Sequence, residues 1–250
     1  NEEIGKVVAG TNAVFVVATC QTAGVVPIDM DKCNIDVLVF TGHKGLFGPM
    51  GMGGMIVREG VNIRPTKTGG TGVDSIAEFQ PEEYPDRLEA GTVSIPGIAG
   101  LNAAQRWFAE LGSQLIGNNA NAPVSHQEAT GAALTHIHRQ EIAVTHQLIE
   151  AFAALPGVTI YGPRGNRPRV ATFTINIGGL PAEQASAMMD ADHGVCVRAG
   201  LQCAPLVHQD YGTLKRNGSI RFAPGFFTDK EDTELALEAV TELAQYEAAR

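Results

Sequence analysis

The chain has 250 residues, a hydrophobic fraction of 44% and a formal net charge of -9. That length supports a large core in one big domain or two smaller ones, with the composition of an ordinary globular protein. The acidic balance leaves no basic footprint for nucleic acid. No apolar run approaches the roughly 20 residues of a membrane-spanning helix. The first residues carry no signal-peptide pattern, so a cytoplasmic protein is expected. Four widely spaced cysteines, Cys20, Cys33, Cys196 and Cys203, form no CxxC pair. They read as reduced thiols rather than a disulfide framework.

In chain order, residues 1–8 read as the end of a helix. Residues 13–17, a continuous apolar run, read as a strand covered on both faces. A second such strand is predicted over 37–40. Thr41-Gly42-His43-Lys44 follows, then a loop with Gly45, Gly48, Pro49, Gly51, Gly53 and Gly54, then the apolar run Met55-Ile56-Val57. The pattern is strand, glycine-rich turn, strand. Ile98, Leu101, Ala104, Phe108 and Leu111 stand at helical spacing and predict a helix over about 97–115, with Trp107 beside the stripe as core packing. The polar stretch 117–123 breaks that pattern and marks the expected domain boundary, dividing 1–118 from 119–250.

A long helix is predicted over about 125–154, stopped by Pro156-Gly157. Residues 158–161, 170–177 and 195–198 read as strands of a smaller α/β unit, with a helix over 180–192 between the last two. A closing helix is expected over about 230–249, with Thr228 as its N-cap and Glu231 completing a capping box. The alternation of helices and strands favours an α/β architecture. His136, His138 and His146 fall in a helical segment without a zinc-ligand spacing, so no metal site is expected.

Lys44 admits two readings. A lysine at the end of an interior strand, between a histidine and repeated glycines, is badly placed for a surface charge. Burial favours the neutral amine, which can attack a carbonyl, and glycines let backbone approach a ligand closely. The other reading is a hairpin with one solvated lysine, and these residues alone do not choose between them.

Four stretches carry a resemblance to a known family. The first is Cys20-Gln21-Thr22-Ala23-Gly24-Val25-Val26-Pro27-Ile28-Asp29, and the second is Thr41-Gly42-His43-Lys44 with Gly48-Pro49-x-Gly51-x-Gly53. The third comprises Gly69-Gly70-Thr71-Gly72, Gln80-Pro81, Pro85-x-Arg87-x-Glu89-x-Gly91-Thr92 and Pro96-Gly97-Ile98-Ala99-Gly100-Leu101. The fourth is Val197-Arg198-Ala199-Gly200-Leu201-Gln202-Cys203-Ala204-Pro205-Leu206, followed by Ile220-Arg221-Phe222-Ala223-Pro224-Gly225. In this order they resemble the class V aminotransferases, and among those the cysteine desulfurases, which carry pyridoxal phosphate on a fold-type-I scaffold. The resemblance implies part of a large domain with a mostly parallel sheet, joined to a small C-terminal α/β domain.

The implied reaction removes sulfur from L-cysteine, leaving alanine and a persulfide on Cys203. Lys44 would hold pyridoxal phosphate as a Schiff base and move protons at the substrate's α-carbon. Thr41 and His43 match the family's phosphate contacts, and Gln21 matches the partner of the cofactor's ring hydroxyl. Gly91-Thr92 matches the segment reaching the neighbouring subunit's phosphate, which implies a homodimer. Arg221 matches the arginine that pairs with the substrate carboxylate, and Arg198 a second arginine of the active site. Cys203 must react as a thiolate, which a nearby cation such as Arg198 or His208 would favour. A sulfur-acceptor protein is the implied partner.

Without the resemblance, Cys203 reads as an inert buried thiol, and Gln21, Thr41 and His43 as ordinary loop residues. Cys20, Cys33 and Cys196 match no catalytic position. Selenocysteine or C–S lyase chemistry is an alternative, as is a non-catalytic or impaired relative. Three departures from the family pattern stand out. Ala18 occupies the place of the aspartate that pairs with the pyridine nitrogen. Gln202 stands where relatives often have histidine. The part of the large domain that carries the ring-stacking histidine and a phosphate-binding turn is not represented in these residues.

Overall fold

The computed structural model describes residues 1–74, 76–117, 123–163, 165 and 167–249. The chain forms two compact units, Asn1–Leu134 and Thr135–Arg250. The boundary expected between residues 118 and 119 falls on residues outside those described.

In the first unit, α1 (Glu2–Val8) leads to β1 (Val16–Ala18), β2 (Val37–Thr41) and β3 (Gly53–Val57). β1 pairs parallel to β2, with Val16 opposite Val37 and Ala18 opposite Val39. β3 returns antiparallel along the other edge of β2, with Thr41 opposite Gly53. The sheet is therefore mixed, and the predicted strand, glycine-rich turn and strand are its β2–β3 hairpin. Cover on both faces of β1 is not found among the described residues of this unit, where Val14 is 57% and Val16 55% exposed. The physical reason lies in the connection. Residues 19–35 run as turns rather than as the crossover helix that usually covers a parallel pair.

Helix α2 (Ile95–Ile116) starts two residues earlier than its apolar stripe suggests, because Ser94 caps it by accepting from the Gly97 N–H at 3.3 Å. α2 packs on the hairpin loop through its own glycines. A Cβ on Gly97 would lie 2.2 Å from the Met52 sulfur, and one on Gly100 would lie 3.0 Å from the Pro49 ring. Trp107 and Phe108 receive Phe47 of the loop at ring-centroid distances of 5.6 and 5.2 Å. Further along, Gly112 of α2 lies directly against the Ala129 carbonyl of α3 (His126–Ala153).

The second unit holds β4 (Val158–Tyr161), β5 (Phe173–Ile177), α4 (Ala182–His193), β6 (Arg198–Gly200), α5 (Pro205–Asp210), β7 (Ser219–Phe222) and α6 (Lys230–Ala248). Its sheet runs β4-β5-β7-β6 with every pairing antiparallel. Its core joins Leu148, Ile149 and Phe152 from the end of α3 to Phe173, Ile175 and Ile177 of β5. Met189 of α4 and Ala239, Val240 and Leu243 of α6 complete it. Phe173 and Phe222 are cross-strand partners and stack at 5.4 Å, with Phe152 5.2 Å from Phe222.

Two strands are displaced from their sequence-based spans. β5 begins at Phe173 rather than Val170, because Thr172 N–H turns back to the Val170 carbonyl and Arg169 binds the Thr172 and Pro163 carbonyls. β6 begins at Arg198 rather than Val195, because Gly194 ends α4 in the left-handed conformation and Val195 N–H returns to Met189.

The capping box of α6 sits one residue later than expected. Asp229 accepts from Asp232 N–H at 2.9 Å and Asp232 accepts from Asp229 N–H at 3.2 Å, while Thr228 accepts from Gly225 N–H. Asp229→Ala is expected to cost about 1 kcal/mol in urea-induced unfolding followed by circular dichroism, with Thr228→Ala costing less. None of the described helices is long and apolar enough to cross a membrane.

Candidate active site

β1 and β2 run parallel, so the chain leaves both at the same end of the sheet. Loops beyond the carboxyl ends of parallel strands are the usual place for a ligand in α/β folds. Here they are residues 19–26 after β1, which contain Gln21, and residues 42–52 after β2, which contain His43 and Lys44. Thr19 is fully buried, and its hydroxyl and N–H both donate to the Val39 carbonyl, anchoring the first loop to β2. The loops then touch backbone to backbone. A Cβ on Gly24 would lie 2.1 Å from the Gly45 carbonyl oxygen, and one on Gly45 would lie 2.6 Å from the Ala23 carbonyl oxygen. The glycines of these motifs permit that approach, which brings the Gln21 loop against the segment carrying Lys44.

Within the turn, Thr41 Oγ1 and His43 Nδ1 are 3.0 Å apart. When the hydroxyl donates, the imidazole carries its proton on Nε2, leaving that N–H available to an anion. Gln105 supports the loop from α2 through the Leu46 carbonyl. Lys44 is exposed in this unit, not buried as the first reading of its position expects. It follows β2 into a turn beyond the sheet's end, where the strand packing that buries Val37 and Leu38 no longer reaches. Among the described residues its ammonium has no hydrogen bond or ion pair.

Ala18 is exposed at the end of β1. Asp29 and Asp36, which lie nearby in sequence, are engaged elsewhere. Asp36 accepts from Phe15 N–H and faces Arg58 at the opposite end of β2, roughly 17 Å along the strand from Thr41 at about 3.3 Å per residue. Asp29 accepts from the N–H groups of Asp31 and Lys32.

The third motif is mainly structural. Gln80 donates to the Asp86 and Glu89 carbonyls, and Arg87 donates to Ile63 and Glu82 while lying over the Tyr84 ring. Together they tie Ile63 and Glu82 to the turn at 86–89. Gly91, at φ 92°, donates to Gly70, and Thr92 is exposed just before α2.

In the second unit, Arg198 of β6 is the cross-strand partner of Arg221 of β7. Like charges set directly opposite one another across a sheet are destabilising. Neither guanidinium is ion-paired among the described residues, and Arg221 Nε is buried without a partner. Such a pair suits an anion such as a carboxylate, for which a planar guanidinium offers two-point contact. Arg198 Nη2 lies 3.9 Å from Cys203 Sγ and is oriented to donate to it. Cys203 is exposed rather than buried, with φ 62°.

His208, expected as a second cation near Cys203, is buried in α5 instead, with Nδ1 2.7 Å from Thr213 Oγ1. The hydrogen bond with Thr213 holds that ring nitrogen inside the α5 turn. Gln202 is the residue that sequence reasoning underrated. Its amide does not line the thiol but donates inward to the Ser219 carbonyl at 2.8 Å.

The model of the family described as aminotransferase class-V matches residues 1–130 and 128–235. The chain belongs to that family. A "probable cysteine desulfurase" of Methanothermobacter thermautotrophicus is 25% identical to this class-V chain over 247 residues, 97% of the chain and 56% of the relative. One from Synechocystis is 29% identical over 96% of the chain and 52% of the relative. The apo structure of a cysteine desulfurase from Thermococcus onnurineus NA1 superposes with a TM-score of 0.79 at 29% identity, covering 98% of this chain and 56% of that one. The cysteine desulfurase CsdA of Escherichia coli, at 22% identity and a TM-score of 0.77, shares the fold. The class-V chain thus spans about half the length of the curated relatives it matches.

Members of this family use pyridoxal phosphate, and the donor set of the first unit fits that group. An amine without an ion pair suits the aldehyde, the His43 imidazole N–H, set in that tautomer by the Thr41 hydroxyl, suits the phosphate, and an amide suits the ring hydroxyl. At Ala18 no carboxylate is offered.

Proposed function

We propose that this chain takes part in pyridoxal-phosphate-dependent removal of sulfur from L-cysteine, giving alanine and a persulfide on Cys203. The observation that carries this reading is the Arg198–Cys203 contact on β6, beside the buried unpartnered Nε of Arg221. It sets a thiol, a guanidinium within donating distance of its sulfur and an unfilled carboxylate partner around one strand pair. Lys44, with Thr41, His43 and Gln21, would hold the cofactor, which when bound supplies an electron sink for bonds broken at the substrate.

In this reading Arg221 grips the substrate carboxylate. The Cys203 thiolate attacks the substrate sulfur, forming an S–S bond as the carbon–sulfur bond breaks, and its electron pair leaves on the carbon side. Lys44 removes and returns protons at the α-carbon. Thr92 would serve the equivalent site of a second subunit in a homodimer. Division at residues 118/119, a cytoplasmic location and a sulfur-acceptor protein complete the proposal.

The test is alanine and sulfide release from L-cysteine by cofactor-treated protein in the presence of a reductant. Cys203→Ala is expected to lower desulfuration at least 100-fold, on the order of the loss when a nucleophile is removed, while leaving cofactor absorbance in place. Equal rates with and without Cys203 would point to lyase chemistry. The same assay addresses a second reading, an impaired relative, which Ala18 favours. No alanine from a protein that does bind the cofactor would establish that reading.

A further inference from the structure

We infer that Gln202 is the positioning residue for the Cys203 thiol, the clip that keeps its sulfur beside Arg198. The inference deepens the proposed reaction and rests on Cys203 as its reactive thiol.

β6 ends at Gly200, and the chain then turns through Leu201 into two consecutive left-handed residues, Gln202 at φ 52° and Cys203 at φ 62°. Side-chain-bearing residues rarely adopt this conformation, and they keep it only where surrounding contacts over-determine it. Three contacts do so here. Ala204 N–H donates to the Leu201 carbonyl at 2.8 Å. Gly218, at φ 99°, lies so close to Gly200 that an added Cβ would be 2.1 Å from the Gly200 carbonyl oxygen, so the turn rests on the start of β7. The third contact is made by a side chain. Gln202 Nε2 lies 2.8 Å from the Ser219 carbonyl oxygen and 3.4 Å from both Ser219 Oγ and the Arg198 carbonyl oxygen.

Ser219 and Gly200 are cross-strand partners, so this amide closes the open end of the β6–β7 ladder. It thereby ties together the residue that supplies the cation, Arg198, and the residue before the thiol. With the clip in place, Arg198 Nη2 and Cys203 Sγ stand 3.9 Å apart. Without it the two left-handed residues are free to relax, and the sulfur swings away from the guanidinium that donates to it. A carboxylate at position 202 would repel the carbonyl oxygens of Ser219 and Arg198 instead of binding them.

The test reads thiol chemistry directly. The full chain without cofactor or cysteine is alkylated with iodoacetamide at neutral pH, and each cysteine is followed by peptide-resolved mass spectrometry. Cys196, also exposed, is the internal control. Gln202→Gly removes the amide while accepting the left-handed backbone without strain. Gln202→Glu keeps the shape and removes the donor.

Each of these variants and Arg198→Ala is expected to slow Cys203 about 10-fold, and the double variant Gln202→Gly/Arg198→Ala no further, because residues acting through one contact are not additive. Cys196 should be unaffected. A Cys203 rate in Gln202→Gly equal to or above the parent's overturns the inference. So does a double variant slowed about 100-fold, the product expected of independent sites. If Gln202→Gly changes the circular dichroism, the glutamate variant decides alone. Slowing confined to Cys203 supports the clip, and an unchanged rate overturns it. Because cofactor and substrate are absent, failure here leaves the desulfurase reading standing, and failure of desulfuration leaves this measurement intact.

Discussion

Lys44→Ala is expected to abolish covalent capture of pyridoxal phosphate. Reconstituted parent protein should show an absorption band near the visible edge. Borohydride reduction should leave a pyridoxyl adduct on the peptide containing Lys44. The alanine variant should show neither, and L-cysteine turnover should fall by about 10³-fold, within the range associated with loss of a positioned acid–base group. The physical basis is local. Lys44 is exposed beyond the carboxyl end of β2, has no ion pair among the described residues and lies next to the Gly45 backbone that meets the Gln21 loop. An amine so placed is accessible to an aldehyde. An adduct distributed over other lysines, with none at position 44, would end the assignment. Normal capture at Lys44 without turnover would instead direct attention to Ala18, where the electron-withdrawing ring lacks a carboxylate partner.

The largest stability effect is expected from Phe152→Ala. Phe152 is fully buried at the end of α3 and meets both Phe173 and Phe222, themselves a stacked cross-strand pair. Truncation removes apolar burial and leaves a cavity that the paired strands cannot readily fill, costing about 3–5 kcal/mol. This is a large fraction of the roughly 5–15 kcal/mol that holds a typical domain folded. Urea-induced unfolding followed by circular dichroism should show a lower midpoint with little change in slope. A loss below about 1 kcal/mol would mean that the aromatic trio is not what closes this core. Arg221 immediately precedes Phe222 on β7, so the same packing also fixes the strand on which the proposed carboxylate partner is carried.

By itself the sequence determined the elements whose signals are local. The β2–β3 hairpin follows from two apolar runs around repeated glycines. α2, α3 and α6 follow from helical periodicity, with Pro156-Gly157 stopping α3 and a run of capping residues opening α6, while the Ser94 cap of α2 emerged only in the structure. The ordered motifs pointed to the family, because short spacings around Lys44 and Cys203 are written in consecutive residues. Only tertiary structure decided what depends on partners distant in the chain. β7 is a four-residue segment that becomes a strand by lying between β5 and β6, and the short α5 likewise carries too little periodicity to announce itself. Lys44 is exposed because burial depends on what covers a strand's end, not on the strand's own residues. His208 faces Thr213 and Gln202 reaches Ser219 because helix and strand packing aim their side chains, and five or seventeen residues of separation in sequence carry no such direction.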